Sequence, residues 1–156
     1  MRIADFLTPD RVVLDLRART KPRLIAEVAA RFNRSDPSID IAAVEAALLA
    51  RERLGSTGLG GGFALPHARV EALPGYRGLF ARLDKPIEFE AIDGAPVSMV
   101  FALLTPGAEA SSHVGALAAV SRLFRDAAVR ERLRQAKSAA DAFQVLAEGG
   151  KPEISP

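Results

Sequence analysis

PVSMVFALL, residues 96–104, is a near-continuous apolar run, the pattern of a strand covered on both faces. Such a strand needs helices on either side of its sheet, and the flanking sequence supplies them. Upstream, Asp93-Gly94 marks a turn between PIEFEAI (86–92) and this strand. RGLFARL (77–83) and FALPHARV (63–70) have strand character, as does VVLDL (12–16) near the start. Pro22 opens a helical stretch, PRLIAEVAARF, in the first-turn position where proline is tolerated. RSDPSID (34–40) breaks that helix, and its Asp40 can cap a second helix predicted from Ile41 to about Leu54. Downstream come three more helical segments, SSHVGALAAVSRLF (111–124), AAVRERLRQA (127–136) and SAADAFQVLAE (138–148), then a loose tail, GGKPEISP (149–156). Helices before and after a block of strands predict an α/β fold: one domain over 1–148, a mixed β-sheet with α-helices on both faces.

Composition narrows the function. A chain of 156 residues suffices for one well-buried core. Its 21 basic and 19 acidic side chains leave a formal charge of +2. The basic residues are scattered instead of forming a stripe, so no nucleic-acid partner is expected. The absence of cysteine excludes disulfides, thiolate nucleophiles and Cys-bearing zinc sites and fits a reducing compartment, so a cytoplasmic location is expected. MRIADFLTPDR lacks an apolar signal core, and the longest apolar stretch falls well short of the roughly 20 residues of a membrane span. No direct membrane insertion is expected.

Chemistry concentrates in GSTGLGGGFALPHARV (55–70), where Gly55, Gly58, Gly60, Gly61 and Gly62 precede His67. Walker A is excluded, because no lysine lies between Pro22 and Asp84. The dinucleotide fingerprint meets Phe63 where its last glycine belongs, and these glycines precede a strand instead of opening a helix. A GxSxG elbow is absent, and two histidines without cysteine make a poor zinc set. Two readings remain. Bare backbone N–H groups at Gly58 and Gly60, with the Ser56 and Thr57 hydroxyls, could converge on a phosphoryl group. An imidazole beside them, with an intrinsic pKa near 6.5, would be a mostly neutral nitrogen nucleophile. Alternatively, the glycines form irregular turns and His67 is incidental.

Two further residues face inward at about 100° per residue. Arg51 falls within the apolar arc of Ile41, Val44, Ala47 and Leu48, whereas Arg53 lies opposite. It could interact with carbonyls at its helix end, or reach over the glycine loop with a forked donor for phosphoryl oxygens. His113 shares a stripe with Leu117, Val120 and Phe124 in the first turn of its helix, which Ser111 or Ser112 could cap. It could be a core histidine, or a neutral donor toward a phosphoryl group or His67.

RERLGSTGLGGGFALPHARV (51–70), PIEFEAIDGAPVSMVFALLTP (86–106) and the histidine opening a long helix resemble the enzyme IIA domains of the bacterial phosphoenolpyruvate-dependent phosphotransferase system. The likeness is to the fructose/mannitol class and, within it, to the nitrogen-regulatory branch, over roughly residues 1 to 147. It implies that His67, after Pro66, is phosphorylated, and that Arg51 and His113 are active-site residues. It implies a phosphohistidine carrier protein as donor and, as acceptor, either regulatory target proteins or a IIB domain of a sugar-transport system. No cofactor or metal is implied. The expected mechanism makes His67 nucleophile and then leaving group, with loop N–H groups, Ser56 or Thr57, Arg51 and His113 positioning the phosphoryl group.

Overall fold

A computed structural model describes residues 2–107 and 110–148, the side chains of 110–114 excepted. After two short 3-10 turns (Ile3–Asp5 and Pro9–Arg11), the order is β1 (Val12–Leu16), α1 (Lys21–Ser35), α2 (Ile41–Arg53), β2 (Gly58–Gly60), β3 (Phe63–Ala64) and β4 (His67–Arg69). Then come β5 (Arg77–Ile87), β6 (Val97–Thr105), α3 (Ala110–Arg125), α4 (Ala127–Gln135) and α5 (Ala139–Ala147).

The run at 96–104 supplies the central strand. β6 pairs antiparallel with β5 on one side, and on the other runs parallel to β3 and then β4. β1 extends the sheet parallel to β5, and β2 closes the opposite edge antiparallel to β3. Side chains alternate across β6 as a strand requires. Val100, Ala102 and Leu104 face a core with Leu24, Val28 and Phe32 of α1 and Val44 and Leu48 of α2. Met99, Phe101 and Leu103 face a second core with Val120 and Phe124 of α3, Leu133 of α4 and Leu146 of α5. The predicted single mixed sheet with helices on both faces is therefore observed.

Local chemistry places the helices close to expectation. Thr20 caps α1 by accepting from Arg23 N, with Pro22 in the first turn. Asp40 accepts from Ala42 N at 3.0 Å and Ala43 N at 3.4 Å, a cap worth about 1 kcal/mol.

Four expectations need correction. PIEFEAI is not a strand of its own: its first residues complete the long β5, and the chain then leaves the sheet so that Phe89 can bury in the α1/α2 core. FALPHARV is two strands, interrupted at Leu65 and Pro66, because a residue without an N–H cannot continue an uninterrupted ladder. Ile41 lies on the exposed side of α2, whose buried stripe is Val44, Leu48 and Glu52. Ser111 and Ser112 fall inside α3, which begins at Ala110, and not at its cap.

Candidate active site

His67 opens β4 opposite Leu103 of β6. The Leu103 N–H donates to Pro66 O at 2.9 Å, which locks the backbone just before the ring. The ring is half-buried, and both of its nitrogens are engaged. Nδ1 lies 2.9 Å from Leu65 O. A carbonyl oxygen only accepts, so this bond puts the ring proton on Nδ1. Arg51 Nε–H donates to Nε2 at 3.3 Å. A guanidinium cannot accept, so Nε2 presents its lone pair. The two contacts select the same tautomer: N–H at Nδ1, nucleophilic nitrogen at Nε2.

Arg51 reaches the ring from the last turn of α2, and its Nη1 also donates to Gly55 O at 2.8 Å. It satisfies a carbonyl just past the helix end while presenting a cation beside His67. The helix-end carbonyl contact expected of Arg51 is observed, and the same guanidinium also reaches His67.

The glycines are used differently from the phosphate-cradle expectation. Gly60, Gly61 and Gly62 have φ of +93°, +66° and +80° and form the tight turn joining β2 to β3. Side chains with a Cβ resist that left-handed region, which is why bare backbone stands there. Gly61 N donates to Asp93 Oδ2 at 3.1 Å, Arg134 Nη2 donates to Gly61 O at 3.1 Å, and Phe63 stacks on Phe124 with centroids 3.7 Å apart. Gly60 pairs with Phe63, whose partner Met99 is four residues along β6 from Leu103, the partner of His67. At ~3.3 Å per residue that puts Gly60 about 13 Å from His67 along the sheet. Gly58 N bonds to Ser56 Oγ at 3.1 Å, and a Cβ on Gly58 would sit 2.7 Å from Ala91. The Ser56 hydroxyl donates to Phe89 O at 2.8 Å and the Thr57 hydroxyl to Glu52 Oε2. The hydroxyl protons of Ser56 and Thr57 and the N–H of Gly58 therefore point to protein acceptors, and Gly60 lies at the far end of the hairpin. A depression of about 360 Å³ lined by Gly60, Gly61, Phe63, Asp93, Arg125 and Arg130 belongs to that far end and not to His67.

His113 sits in the first turn of α3, which begins five residues after β6 ends at Thr105. Its side chain, and with it the expected contact to His67, lies outside the described residues. So does the predicted tail, 149–156.

A proton-ordered histidine follows a proline, with an arginine donor on its unprotonated nitrogen, at the edge of a mixed sheet between two helical layers. The family model for "Phosphoenolpyruvate-dependent sugar phosphotransferase system, EIIA 2" matches residues 5–149. The chain belongs to this family. It is 40% identical to the nitrogen regulatory protein of Bradyrhizobium diazoefficiens over 147 residues, 94% of this chain and 95% of that protein. With the nitrogen regulatory protein of Pseudomonas aeruginosa the identity is 35% over 148 residues, 95% and 96% of the two chains. The crystal structure of nitrogen regulatory protein IIA-Ntr from Neisseria meningitidis superposes with a TM-score of 0.87 at 37% identity, covering 92% of this chain and 98% of that one. Among the described residues no helix is long and apolar enough to cross a membrane.

Sequence reasoning did not single out two residues packed beside this candidate site, Glu52 and Lys21. Glu52 is buried beneath the Arg51 loop, with its Oε1 3.1 Å from Lys21 Nζ and 3.2 Å from Thr57 N. Lys21 also lies 4.4 Å above the centre of the Phe89 ring. The signal for Glu52 was available, because it stands four residues after Leu48 and eight after Val44 on the buried stripe. A carboxylate on such a stripe demands a partner. Lys21 had no comparable signal, since only the packing of α1 against α2 brings it there.

Proposed function

We propose that the chain is a phosphocarrier whose Nε2 of His67 accepts a phosphoryl group from a phosphohistidine carrier protein and passes it on. The carrier's N–P bond breaks with its electron pair returning to the carrier nitrogen, while the Nε2 lone pair forms the new N–P bond. Return of the group reverses the same in-line step. The observation that carries this reading is the pair of contacts on the ring, Leu65 O on Nδ1 and Arg51 on Nε2. Together they leave Nε2 unprotonated beside a fixed cation, which suits a nucleophile that must receive an anionic group. Arg51 is the assigned phosphoryl-oxygen donor, and His113 a second one from the α3 terminus. Ser56, Thr57, Gly58 and Gly60 are given no direct phosphoryl contact.

The role proposed for the phosphate is regulatory. Matches running nearly end to end to proteins named nitrogen regulatory support this branch. A phosphoryl group on His67 adds up to about two negative charges at the surface, enough to permit or block protein docking. Action in the cytoplasm belongs to the same reading.

The test is incubation with phosphoenolpyruvate, enzyme I and a phosphohistidine carrier protein, followed by intact-mass measurement and site mapping. One acid-labile, base-stable phosphoryl group is expected, absent in His67→Ala. A label that survives acid, or maps to Ser56 or Thr57, refutes the nucleophile assignment. Rapid discharge of the phosphorylated protein onto a IIB domain in the presence of sugar and membranes, with no phosphorylation-dependent protein binding, would assign a transport role instead.

A further inference from the structure

Two chains of hydrogen bonds leave Glu52 and end on opposite nitrogens of His67. The first starts at the carboxylate. Thr57 donates to it twice, from its backbone N and its hydroxyl. Thr57 O then accepts from Leu65 N at 3.0 Å, and Leu65 O accepts from His67 Nδ1 at 2.9 Å. The second starts at the backbone of the same residue. Glu52 O accepts from Gly55 N at 3.1 Å, Gly55 O accepts from Arg51 Nη1 at 2.8 Å, and Arg51 Nε donates to His67 Nε2 at 3.3 Å.

We propose that Glu52, clamped by Lys21, is a positioning residue that fixes the tautomer and orientation of the His67 ring through the loop of residues 54–57. Glu52 does not touch the reacting atoms. Its side chain is 4% exposed and that of Lys21 14%, so the pair is held within the protein and not on a solvated surface. A carboxylate removed from water needs its charge and lone pairs satisfied. Lys21 supplies the counter-charge, and Thr57 donates to each carboxylate oxygen, from its backbone N–H and from its hydroxyl. The arrangement ties α1, the end of α2 and the segment leading to β4 into one unit, as second-layer bonds do for a working imidazole elsewhere. Glycine at 55 gives that loop no side chain of its own with which to hold Arg51, and the bonds to Glu52 restrict it together with those of Leu54 N to Arg51 O and of the Ser56 hydroxyl to Phe89 O. The effect on transfer rate rests on the phosphoacceptor reading of His67, whereas the effect on the ring does not.

Long-range 15N–1H spectra of histidine-labelled, unphosphorylated protein separate the two readings, with the His67 signals assigned by their loss in His67→Ala. Wild type is expected to show the Nδ1–H tautomer as the dominant neutral form. Glu52→Gln and Thr57→Val are each expected to keep the backbone spectrum of a folded protein while the ring shifts to a mixture of tautomers. Phosphoryl uptake should slow by at least about tenfold, since a small misplacement of a reacting group is enough for such a loss. Folded variants that keep the wild-type tautomer, whatever their melting temperature, overturn the proposal. If Glu52→Gln does not fold, Thr57→Val decides alone, because it leaves the ion pair intact and deletes only the hydroxyl donor. A wild-type protein that takes up no phosphoryl group refutes the function proposed for His67, while the tautomer measurement still decides the role of Glu52.

Discussion

Replacing Arg51 separates its two tasks, because its fork spans two acceptors at different distances. The Nη1 bond to Gly55 O is 2.8 Å long and exposed, and the Nε bond to His67 Nε2 is 3.3 Å long and half-buried. Arg51→Ala removes both. The exposed bond is worth about 1 kcal/mol, so the melting temperature should fall by no more than about 4 °C. The transfer rate should respond more strongly. In the proposed role the guanidinium would donate to the oxygens of a phosphoryl group on Nε2 and no longer to the ring, and a hydrogen bond to a charged group is worth about 1.5–3 kcal/mol. With about 1.36 kcal/mol per decade in rate, Arg51→Ala should slow uptake by about 10- to 150-fold. Arg51→Lys should recover only part of this, since one ammonium is a point donor and cannot span Gly55 O and the phosphoryl group together. Rapid-quench measurement of phosphoryl uptake from the carrier protein, at saturating and sub-saturating carrier, reads the effect directly. A folded Arg51→Ala protein whose rate stays within about threefold of wild type would refute the assignment of this guanidinium to the transferring group, since that change corresponds to only about 0.7 kcal/mol.

Two further outcomes test the distinction between the hairpin and the site. Gly61→Ala forces a side chain into φ +66° against the Arg130 guanidinium and should cost roughly 1–2 kcal/mol, seen as a fall of about 2–8 °C in melting temperature. Uptake by His67 should stay within about twofold of wild type, because the turn is about 13 Å away along the sheet; a tenfold loss in folded protein would return the glycine turn to the active site. Asp93 has its pKa held below the usual 3.8, first by the Ala95 N–H and then by that of Gly61. Its stabilising contribution is therefore complete above that value and is lost as pH falls from 3.8 through the lower folded-state value. Thermal melts of wild type and Asp93→Asn should accordingly differ most at neutral pH and converge in acid, and a difference that stays constant down to about pH 3 would contradict this linkage.

How much was legible follows the range of the interactions. Hydrophobic period, caps and breakers act within a few residues, so α1, α2, the central strand and the three later helices could be read directly. Asp40 at the start of α2 and the unbroken apolar run of β6 are clear instances, and two-sided burial of β6 follows from composition alone. The Pro66-His67 block was also legible, because its resemblance to a family is carried by contiguous residues. Arg51 was found because helical geometry placed it on the inward side.

What the linear chain left open were contacts between residues far apart in it. A glycine can serve equally as anion cradle or as turn, and only the pairing of β2 with β3, with Asp93 waiting beneath, decided for the turn. Ser56 and Thr57 looked like free hydroxyl donors until packing supplied Phe89 O and Glu52 as their acceptors. Lys21 and Glu52 are 31 positions apart, and their pairing depends on how α1 lies against α2. The sequence by itself determined the layers and the central strand, since those rest on local periodicity, and its contiguous Pro66-His67 motif singled out the histidine proposed to carry the phosphate. The tertiary structure decided which nitrogen of that histidine carries its proton, because the groups that decide it converge only when the α2 end and the β3–β4 line are brought together.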